Sequence, residues 1–132
     1  MLPESAKKLL APYFPGFDLD LIRVREGIPW YVPMKAAAYT DRDKIYFAPG
    51  AYDPYSIEGI ALIGHEIMHI LQYREYGTWR FRYCYGKAWA VAFGRTLSFK
   101  AAYGMNPFEC AAREIEERIC RELWQDREKQ DR

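Results

Sequence analysis

The sequence predicts an α+β fold in which a small antiparallel sheet packs on one long helix, with further helices around it. Two apolar segments, residues 36–39 and 44–48, flank a polar tetrapeptide that suits a hairpin loop. Residues 53–76 combine a helix start signal with apolar side chains on one face. The chain has 132 residues, half of them hydrophobic, which is typical of one folded domain. We therefore expect a single domain over residues 1–132, with a frayed polar tail from about residue 125.

The segment before the hairpin predicts a short helix and a strand. Residues 3–13 contain helix formers and are followed by Pro15 and Gly16, which cannot continue a helix. Residues 18–25 alternate apolar and charged side chains, which is the period of a half-buried strand. A short opening helix and one further strand are therefore expected ahead of the hairpin.

Cap and periodicity signals predict three later helices. An Asp-Pro pair at 53–54 gives the long helix an N-cap followed by a proline at the first helical position, where the missing N–H costs nothing. Residues 79–85 alternate aromatic with basic side chains, and residues 87–103 predict another helix with glycine interruptions. An Asn-Pro pair at 106–107 repeats the cap signal and opens a last helix with an apolar stripe.

Charge and cysteine usage exclude several classes of protein. The 19 basic and 18 acidic residues give a net charge of +1, so no chain-wide field favours nucleic acid. No apolar run is long enough for a membrane span, and the N-terminus lacks the pattern of a secretory signal. The three cysteines have no CxxC spacing and predict no disulfide framework. We expect a cytoplasmic protein as synthesised, with delivery by a non-classical route left open and no indication of oligomeric state.

The segment from His65 to His69 has the sequence HExxH within the long predicted helix. Histidines four residues apart project from one helix face about 40° apart, so their ring nitrogens can converge on one ion. Glu66 is displaced by about 100°, where it can reach a water bound to that ion and act as general base. The chain has two histidines and both belong to this motif. The motif therefore predicts a Zn²⁺ site and a zincin-like hydrolase in which Glu66 activates a zinc-bound water.

A third ligand has to come from outside this helix, because catalytic zinc normally has three protein ligands and one open position. The continuation HExxHxxGxxH is absent, which leaves a carboxylate or a cysteine. Glu109, in the first turn of the last helix, is the leading candidate, although its spacing from Asn106 also fits a capping box. Glu116 and Cys110 are competing ligands, and Glu58 shares the histidine face but lies about two turns earlier on the same helix.

Two further points stay open at this level. A second donor to a developing oxyanion is expected beside the metal, and Tyr103 and Tyr39 are candidates, with ordinary packing as the alternative for each. The same ligands would also suit a zinc-stapled, non-catalytic binding or cargo module, in which a residue such as Cys110 closes the fourth position. A zinc-free helical scaffold, with the two histidines pointing apart, is a third possibility.

Part of the chain resembles a known family. The segments AAYT at 37–40, KIYFAPGAY at 44–52 and LIGHEIMHILQ at 62–72 resemble the predicted metallopeptidase domain found with bacterial extracellular contractile injection systems. More broadly, they are similar to the minimal gluzincins, which are compact single-domain zincins. The turn at 106–109, with the sequence NPFE, extends the resemblance.

The resemblance implies a role for each residue of the motif. His65, His69 and Glu109 would bind zinc, and Glu66 would be the general base of a zinc metalloendopeptidase. The hairpin strand would run beside an extended peptide, as the edge of a short sheet also favours physically. A peptide or protein substrate is therefore the expected partner, with no nucleic acid and no membrane.

Overall fold

The observed elements belong to the predicted α+β class. The computed structural model describes residues 1–30, 36–97, 102 and 104–131. Over these residues it contains four helices and a three-stranded sheet. In chain order the elements are α1 (Glu4–Leu10), two 3-10 turns (Ala11–Tyr13 and Leu19–Leu21), β1 (Arg23–Glu26), β2 (Ala38–Asp41), β3 (Lys44–Phe47), α2 (Ile57–Tyr76), α3 (Thr78–Thr96) and α4 (Pro107–Gln130).

The predicted hairpin is confirmed. Strands β2 and β3 run antiparallel, with Ala38 opposite Phe47 and Asp41 opposite Lys44. The turn that joins them contains Arg42 in the left-handed conformation, with φ at 59°. Strand β3 lies in the middle of the sheet and β2 lies at one edge, so the hairpin supplies both the central strand and an edge strand.

The sheet is mixed and not purely antiparallel, which corrects the prediction. Strand β1 lies on the other side of β3 and runs parallel to it, with Val24 opposite Ile45. A tight hairpin forces its strands antiparallel, whereas a strand joined by a longer connection can add in either direction. Side-chain alternation over residues 18–25 carries no information about direction. Strand β1 also starts later than predicted, because the Asp18 side chain accepts the Asp20 N–H and forms a local turn.

Helix α2 begins at Ile57, later than the Asp-Pro signal predicts. The Ser56 hydroxyl accepts the Gly59 N–H at 3.0 Å, so Ser56 and not Asp53 is the N-cap. The Asp53 carboxylate accepts a backbone N–H in the preceding turn, which is the other common use of this residue type. The helix ends as predicted before Gly77, whose φ is 80°.

Helix α3 begins earlier than predicted, since it includes residues 79–85, and it ends at Thr96 and not at residue 103, because Leu97 is in the left-handed conformation with φ at 55°. The alternation of aromatic and basic side chains in its first half has the appearance of a strand, but its buried residues Phe81 and Ala92 are spaced by three helical turns. Residues 98–101 and 103 of the predicted helix lie outside the described residues.

Helix α4 begins where the sequence predicts. The Asn106 side chain accepts the Phe108 N–H at 3.0 Å, and Pro107 occupies the first helical position. The polar residues 125–130, for which we expected fraying, continue the helix and are exposed. In the described parts of the chain, neither this helix nor another is both long and apolar enough to cross a bilayer.

Helix α2 is the centre of the core, because it packs against α4 on one side and β2 on another. Gly64 allows α4 to pack closely against α2, since a Cβ there would lie 2.4 Å from Ile119 Cδ1. Each large apolar side chain removed from water contributes about 1.5–3 kcal/mol. The contact between Gly64 on α2 and Ile119 on α4 aligns the first turn of α4 with the middle of α2. The most deeply buried apolar side chains include Leu10, Ile45, Phe47, Ile63, Ile67, Ile70 and Ile119.

Candidate metal centre

Three sequence-predicted ligand residues meet between α2 and α4. His65 Nε2 lies 3.1 Å from Glu109 Oε2, and His69 Nε2 lies 3.1 Å from Glu109 Oε1. One ligand atom from each residue can be chosen so that all three lie within 4.8 Å of one another. The three residues are 4–8% exposed. The buried His65, His69 and Glu109 group could therefore bind a metal ion.

The second nitrogen of each imidazole is held by another polar side chain. His65 Nδ1 lies 2.7 Å from Glu116 Oε1, and His69 Nδ1 lies 2.8 Å from Gln72 Oε1. Gln72 presents this oxygen because its amide nitrogen donates to the Phe108 carbonyl at 3.0 Å. Metal-binding histidines almost always have such a partner on the nitrogen that does not face the metal. These contacts direct both Nε2 atoms towards Glu109.

All four imidazole nitrogens thus face oxygen atoms that accept hydrogen bonds. A neutral imidazole has only one N–H, whereas His65 and His69 satisfy all of these contacts as donors when both are protonated. Burial by itself would lower the pKa of His65, but the hydrogen bonds to Glu109 and Glu116 outweigh it and raise the pKa to about 10. The pKa of His69 is also raised, since Glu109 outweighs the effect of burial. A divalent cation would replace the two Nε2 protons.

The spacing of the three groups also suits a small metal ion. Tetrahedral bonds of about 2.0–2.2 Å place neighbouring ligand atoms roughly 3.4 Å apart. Each imidazole Nε2 lies 3.1 Å from a carboxylate oxygen of Glu109. One ligand atom from each residue can be chosen so that all three lie within 4.8 Å of one another, so the ligands would draw together around an ion, and two imidazoles with one carboxylate are a donor set that first-row divalent metals accept.

Glu66 lies beside this cluster and is held from β2. Its Oε2 accepts a hydrogen bond from the Thr40 hydroxyl at 2.6 Å, and the side chain is buried. Burial raises the pKa of the Glu66 carboxyl, and the opposing effects of His69, His65 and Thr40 do not cancel it. A raised carboxyl pKa brings proton uptake and release closer to neutral pH.

The competing ligands of the sequence analysis are not in the cluster. Glu116 contacts the far nitrogen of His65 and so orients a ligand. The Cys110 thiol contacts the Gly104 carbonyl at 3.3 Å, and Glu58 is exposed near the start of α2. The Asn106 side chain caps a backbone N–H, while the Glu109 carboxylate faces the histidines, so the capping-box alternative for Glu109 is not formed.

Neither tyrosine suggested as an oxyanion donor is assigned to the site. Tyr103 lies outside the described residues. The ring of Tyr39 lies 6.2 Å from that of Tyr46, and Tyr39 is adjacent to Thr40 on β2. Because successive strand residues point to opposite faces, the Tyr39 side chain lies on the face away from Glu66.

Sequence reasoning missed a different tyrosine. The Tyr85 hydroxyl on α3 donates to Glu109 Oε1 at 3.0 Å, and the Tyr85 carbonyl accepts from the Asn106 side chain at 3.2 Å. A helix through residues 79–85 would have placed Tyr85 one turn after Phe81 on the buried face. The helical spacing of Phe81 and Tyr85 was therefore the signal in the sequence that could have identified Tyr85. The alternation of aromatic and basic residues over the same segment obscured it.

Comparison with known proteins identifies the first part of the chain. A family model described as the eCIS core domain matches residues 1–77. The match includes the hairpin and all of α2, whereas α3, α4 and Glu109 follow it. Searches of curated proteins and of solved structures gave no match. The family is associated with extracellular contractile injection systems, which indicates protein partners within such a system. Since the match includes 77 of 132 residues, the chain belongs to the eCIS core domain family.

Proposed function

We propose that this protein is a zinc-dependent peptidase in which His65, His69 and Glu109 hold Zn²⁺ and Glu66 is the general base. The observation that carries the proposal is the convergence of both Nε2 atoms on one carboxylate while both Nδ1 atoms are held elsewhere. Two histidines, one glutamate and an open fourth position are a ligand set of catalytic zinc. Within the described residues, the group that could hold a metal has these three members, which is consistent with a fourth position for water.

The residues around the cluster have separate tasks in this proposal. Bound zinc would supply an acidified water and polarise the scissile carbonyl. Glu66 would accept the proton of that water and pass it to the leaving amine. The hydrogen bond from Thr40 to Glu66 Oε2 fixes the carboxylate and leaves Oε1 as the proton acceptor. Glu116 and Gln72 keep the two imidazoles in the tautomer that presents Nε2 to the metal.

The edge of the sheet supports a peptide substrate. Strand β2 pairs with β3 on one side, and no other described strand pairs with it. Thr40 on this strand contacts Glu66 directly. An extended peptide that added to this edge, which no described strand covers, would form main-chain hydrogen bonds there, and its backbone would pass beside the general base.

Metal analysis of the purified protein is the first test. We expect about one Zn²⁺ per chain in the wild type, and a loss of that metal in His65→Ala and Glu109→Ala. Glu66→Gln should retain zinc and lose hydrolysis of a fluorogenic peptide library by about 10²–10⁴-fold. Glu58→Gln, on an exposed part of the same helix, is the matched control and should retain both. Absence of stoichiometric zinc in the wild type would contradict the proposal at its base.

A non-catalytic zinc staple is the second candidate, and the burial of the ligands favours it. The three ligand residues are 4–8% exposed, and an ion among them would join α2 to α4. In that case zinc would raise the melting temperature and Glu66→Gln would change nothing in a peptidase assay, because the wild type would also be inactive. Cys110→Ser distinguishes the two coordination schemes, since a closed site with a cysteine ligand would lose affinity and a three-residue site would not.

A further inference from the structure

Helix α3 has an exposed apolar face that the core does not use. Its buried residues, Phe81 and Ala92, lie on one side of the helix. At about 100° of rotation per residue, a second set of residues falls on the opposite side, within an arc of about 80°. At the ends of this second set, Trp79 is 79% exposed and Tyr83 is 68% exposed, and Leu97, which caps the helix, is 78% exposed. We call this set the outer stripe; it consists of Trp79, Tyr83, Gly86, Ala90, Gly94 and Leu97.

The glycines of the outer stripe are not explained by the fold. Glycine weakens a helix relative to alanine. A Cβ at Gly64 would lie 2.4 Å from an Ile119 methyl, and one at Gly59 would lie 1.8 Å from the Asp53 carbonyl oxygen. A Cβ at Gly86 or Gly94 would meet nothing within 4 Å. The fold therefore requires its first two helical glycines, while nothing in the described chain requires the other two.

The charge along α3 has a single sign. The helix has four basic residues and no acidic residue. Arg82 is paired with Asp41, with a distance of 2.7 Å between Nη2 and Oδ1. Arg80, Lys87 and Arg95 have no carboxylate within ion-pair distance in the described parts of the chain, and all three are exposed. At about 100° per residue, Arg80 and Lys87 lie about 20–40° beyond one edge of the outer stripe, whereas Arg95 lies about 100° beyond it.

We propose that the outer stripe is a docking surface for an acidic amphipathic helix of a partner protein. Small residues between exposed aromatic side chains leave a shallow groove in which a partner backbone can approach closely. Arg80 and Lys87 on its flank have no carboxylate partner among the described residues and are complementary to acidic side chains, and tryptophan and tyrosine are enriched among the side chains that dominate interfaces. The stripe is about 27 Å long at 1.5 Å per residue, which is enough for several turns of a bound helix.

A protein helix fits this face better than a lipid surface. A membrane-binding helix has bulky apolar side chains at the centre of its apolar face, where they enter the bilayer. Here Gly86, Ala90 and Gly94 occupy the centre and offer little apolar surface to insert. The surface also begins directly after residue 77, where the family match ends, and it does not depend on the metal site.

The test uses the full chain and two labelled synthetic helical peptides with the same leucine ridge, flanked by glutamate in one and by lysine in the other. We expect fluorescence anisotropy to show at least tenfold tighter binding of the glutamate peptide, weakened by added salt. Arg80→Glu with Lys87→Glu should remove the preference. Arg121→Glu with Lys129→Glu, on exposed positions of α4, is the matched control and should retain it.

Filling the groove gives an independent test. Gly86→Leu with Gly94→Leu should weaken binding of the glutamate peptide at least tenfold while circular dichroism shows an intact fold, because both glycines are exposed and an added Cβ meets nothing within 4 Å. If this pair disturbs the helix, Gly86→Ala with Gly94→Ala tests the same point with one methyl at each position. Equal affinity for both peptides, no binding of either, or no effect of groove filling would overturn the proposal. Dimers that form as the protein concentration rises and that are lost in the leucine variant would also overturn the proposal. Binding to phosphatidylserine vesicles without binding of either peptide would overturn it as well.

Discussion

Helices α2 and α3 are neighbours of nearly equal length, 20 and 19 residues, but their sequences serve different purposes. In α2, apolar and polar side chains are buried together, and His65, Glu66 and His69 each have a hydrogen-bond partner. In α3, three cations have no carboxylate partner among the described residues, and a Cβ at either of its two glycines would meet nothing within 4 Å. Contacts among the described residues therefore account for α2, whereas they do not account for the outer stripe of α3.

The largest expected effect concerns protons at the metal centre. If His65 and His69 are both protonated in the metal-free chain, zinc has to displace two protons. The pKa of His65, raised to about 10, should then make zinc affinity rise at least about tenfold per pH unit between roughly pH 6 and 8, and displacement of a proton from His69 makes the rise steeper. Chelator competition at several pH values measures this slope, and a slope near zero would contradict the proton assignment.

The same pairing has a consequence for the stability of the metal-free chain. The pKa of His65 is raised from 6.5 to about 10 on folding. This pairing therefore stabilises the fold fully below about pH 6.5, and the contribution is lost as the pH rises through about 10. Urea unfolding of the metal-free protein at pH 6 and pH 10 should show the decrease, and zinc-loaded protein should show a smaller one.

Truncation of an apolar side chain should affect the free energy of unfolding more in α2 than in α3. Ile67 on α2 is fully buried and Val91 on α3 is half exposed. Ile67→Ala should lower the free energy of unfolding by about 2–5 kcal/mol, whereas Val91→Ala should change it by less than about 0.5 kcal/mol. Urea unfolding of both variants measures the difference, and similar losses would mean that α3 is buried in solution.

Substitution of the residues that hold the imidazoles should have a smaller effect, and this effect is on zinc affinity. Glu116→Gln replaces the carboxylate that faces His65 Nδ1 with a neutral amide, and Gln72→Ala removes the acceptor that faces His69 Nδ1. Each should weaken zinc binding by about 10–100-fold without removing a ligand. Glu114→Gln, on an exposed position of the same helix as Glu116, is the control for the first substitution. Unchanged affinity in both variants would mean that the ligands are oriented by packing.

Substitution of glycine by alanine should have the smallest effects on stability, and the effects in the two helices should have opposite signs. Gly64→Ala would place a Cβ 2.4 Å from Ile119 Cδ1, and such overpacking costs about 1–3 kcal/mol. Gly94→Ala has open space and should stabilise the helix by about 0.5–1 kcal/mol. Thermal unfolding of the pair is a direct comparison of the two helices, and destabilisation by Gly94→Ala would show that the fold does use this glycine.

Several features of the site could be predicted because they depend on short stretches of chain. The four-residue spacing of His65 and His69 places both imidazoles on one helix face wherever the helix lies. The Asn106 cap fixes the start of α4, and with it the position of Glu109 in the first turn. The hairpin follows from a polar turn between two apolar segments. Each of these requires only local geometry.

Other features could not be predicted, because they depend on how distant elements pack. The direction of β1 and the hydrogen bond from Tyr85 to Glu109 join residues that local patterns do not relate. Asp53 and Ser56 both carry a capping side chain, and only the folded chain selects Ser56. Glu116 was predicted as a competing ligand, but its position beside Nδ1 of His65 depends on the rotation of α4 against α2.

The sequence by itself determined the HExxH helix, the hairpin and the residue types available to a metal, because helix and strand periods are properties of the backbone. Only the tertiary structure decided that Glu109, 40 residues after His69, faces both imidazoles. It did so because Gly64 allows α2 and α4 to approach closely at Ile119, and that contact sets how the two helices align. Residue spacing fixes geometry within one helix, whereas the geometry between helices depends on how their side chains pack.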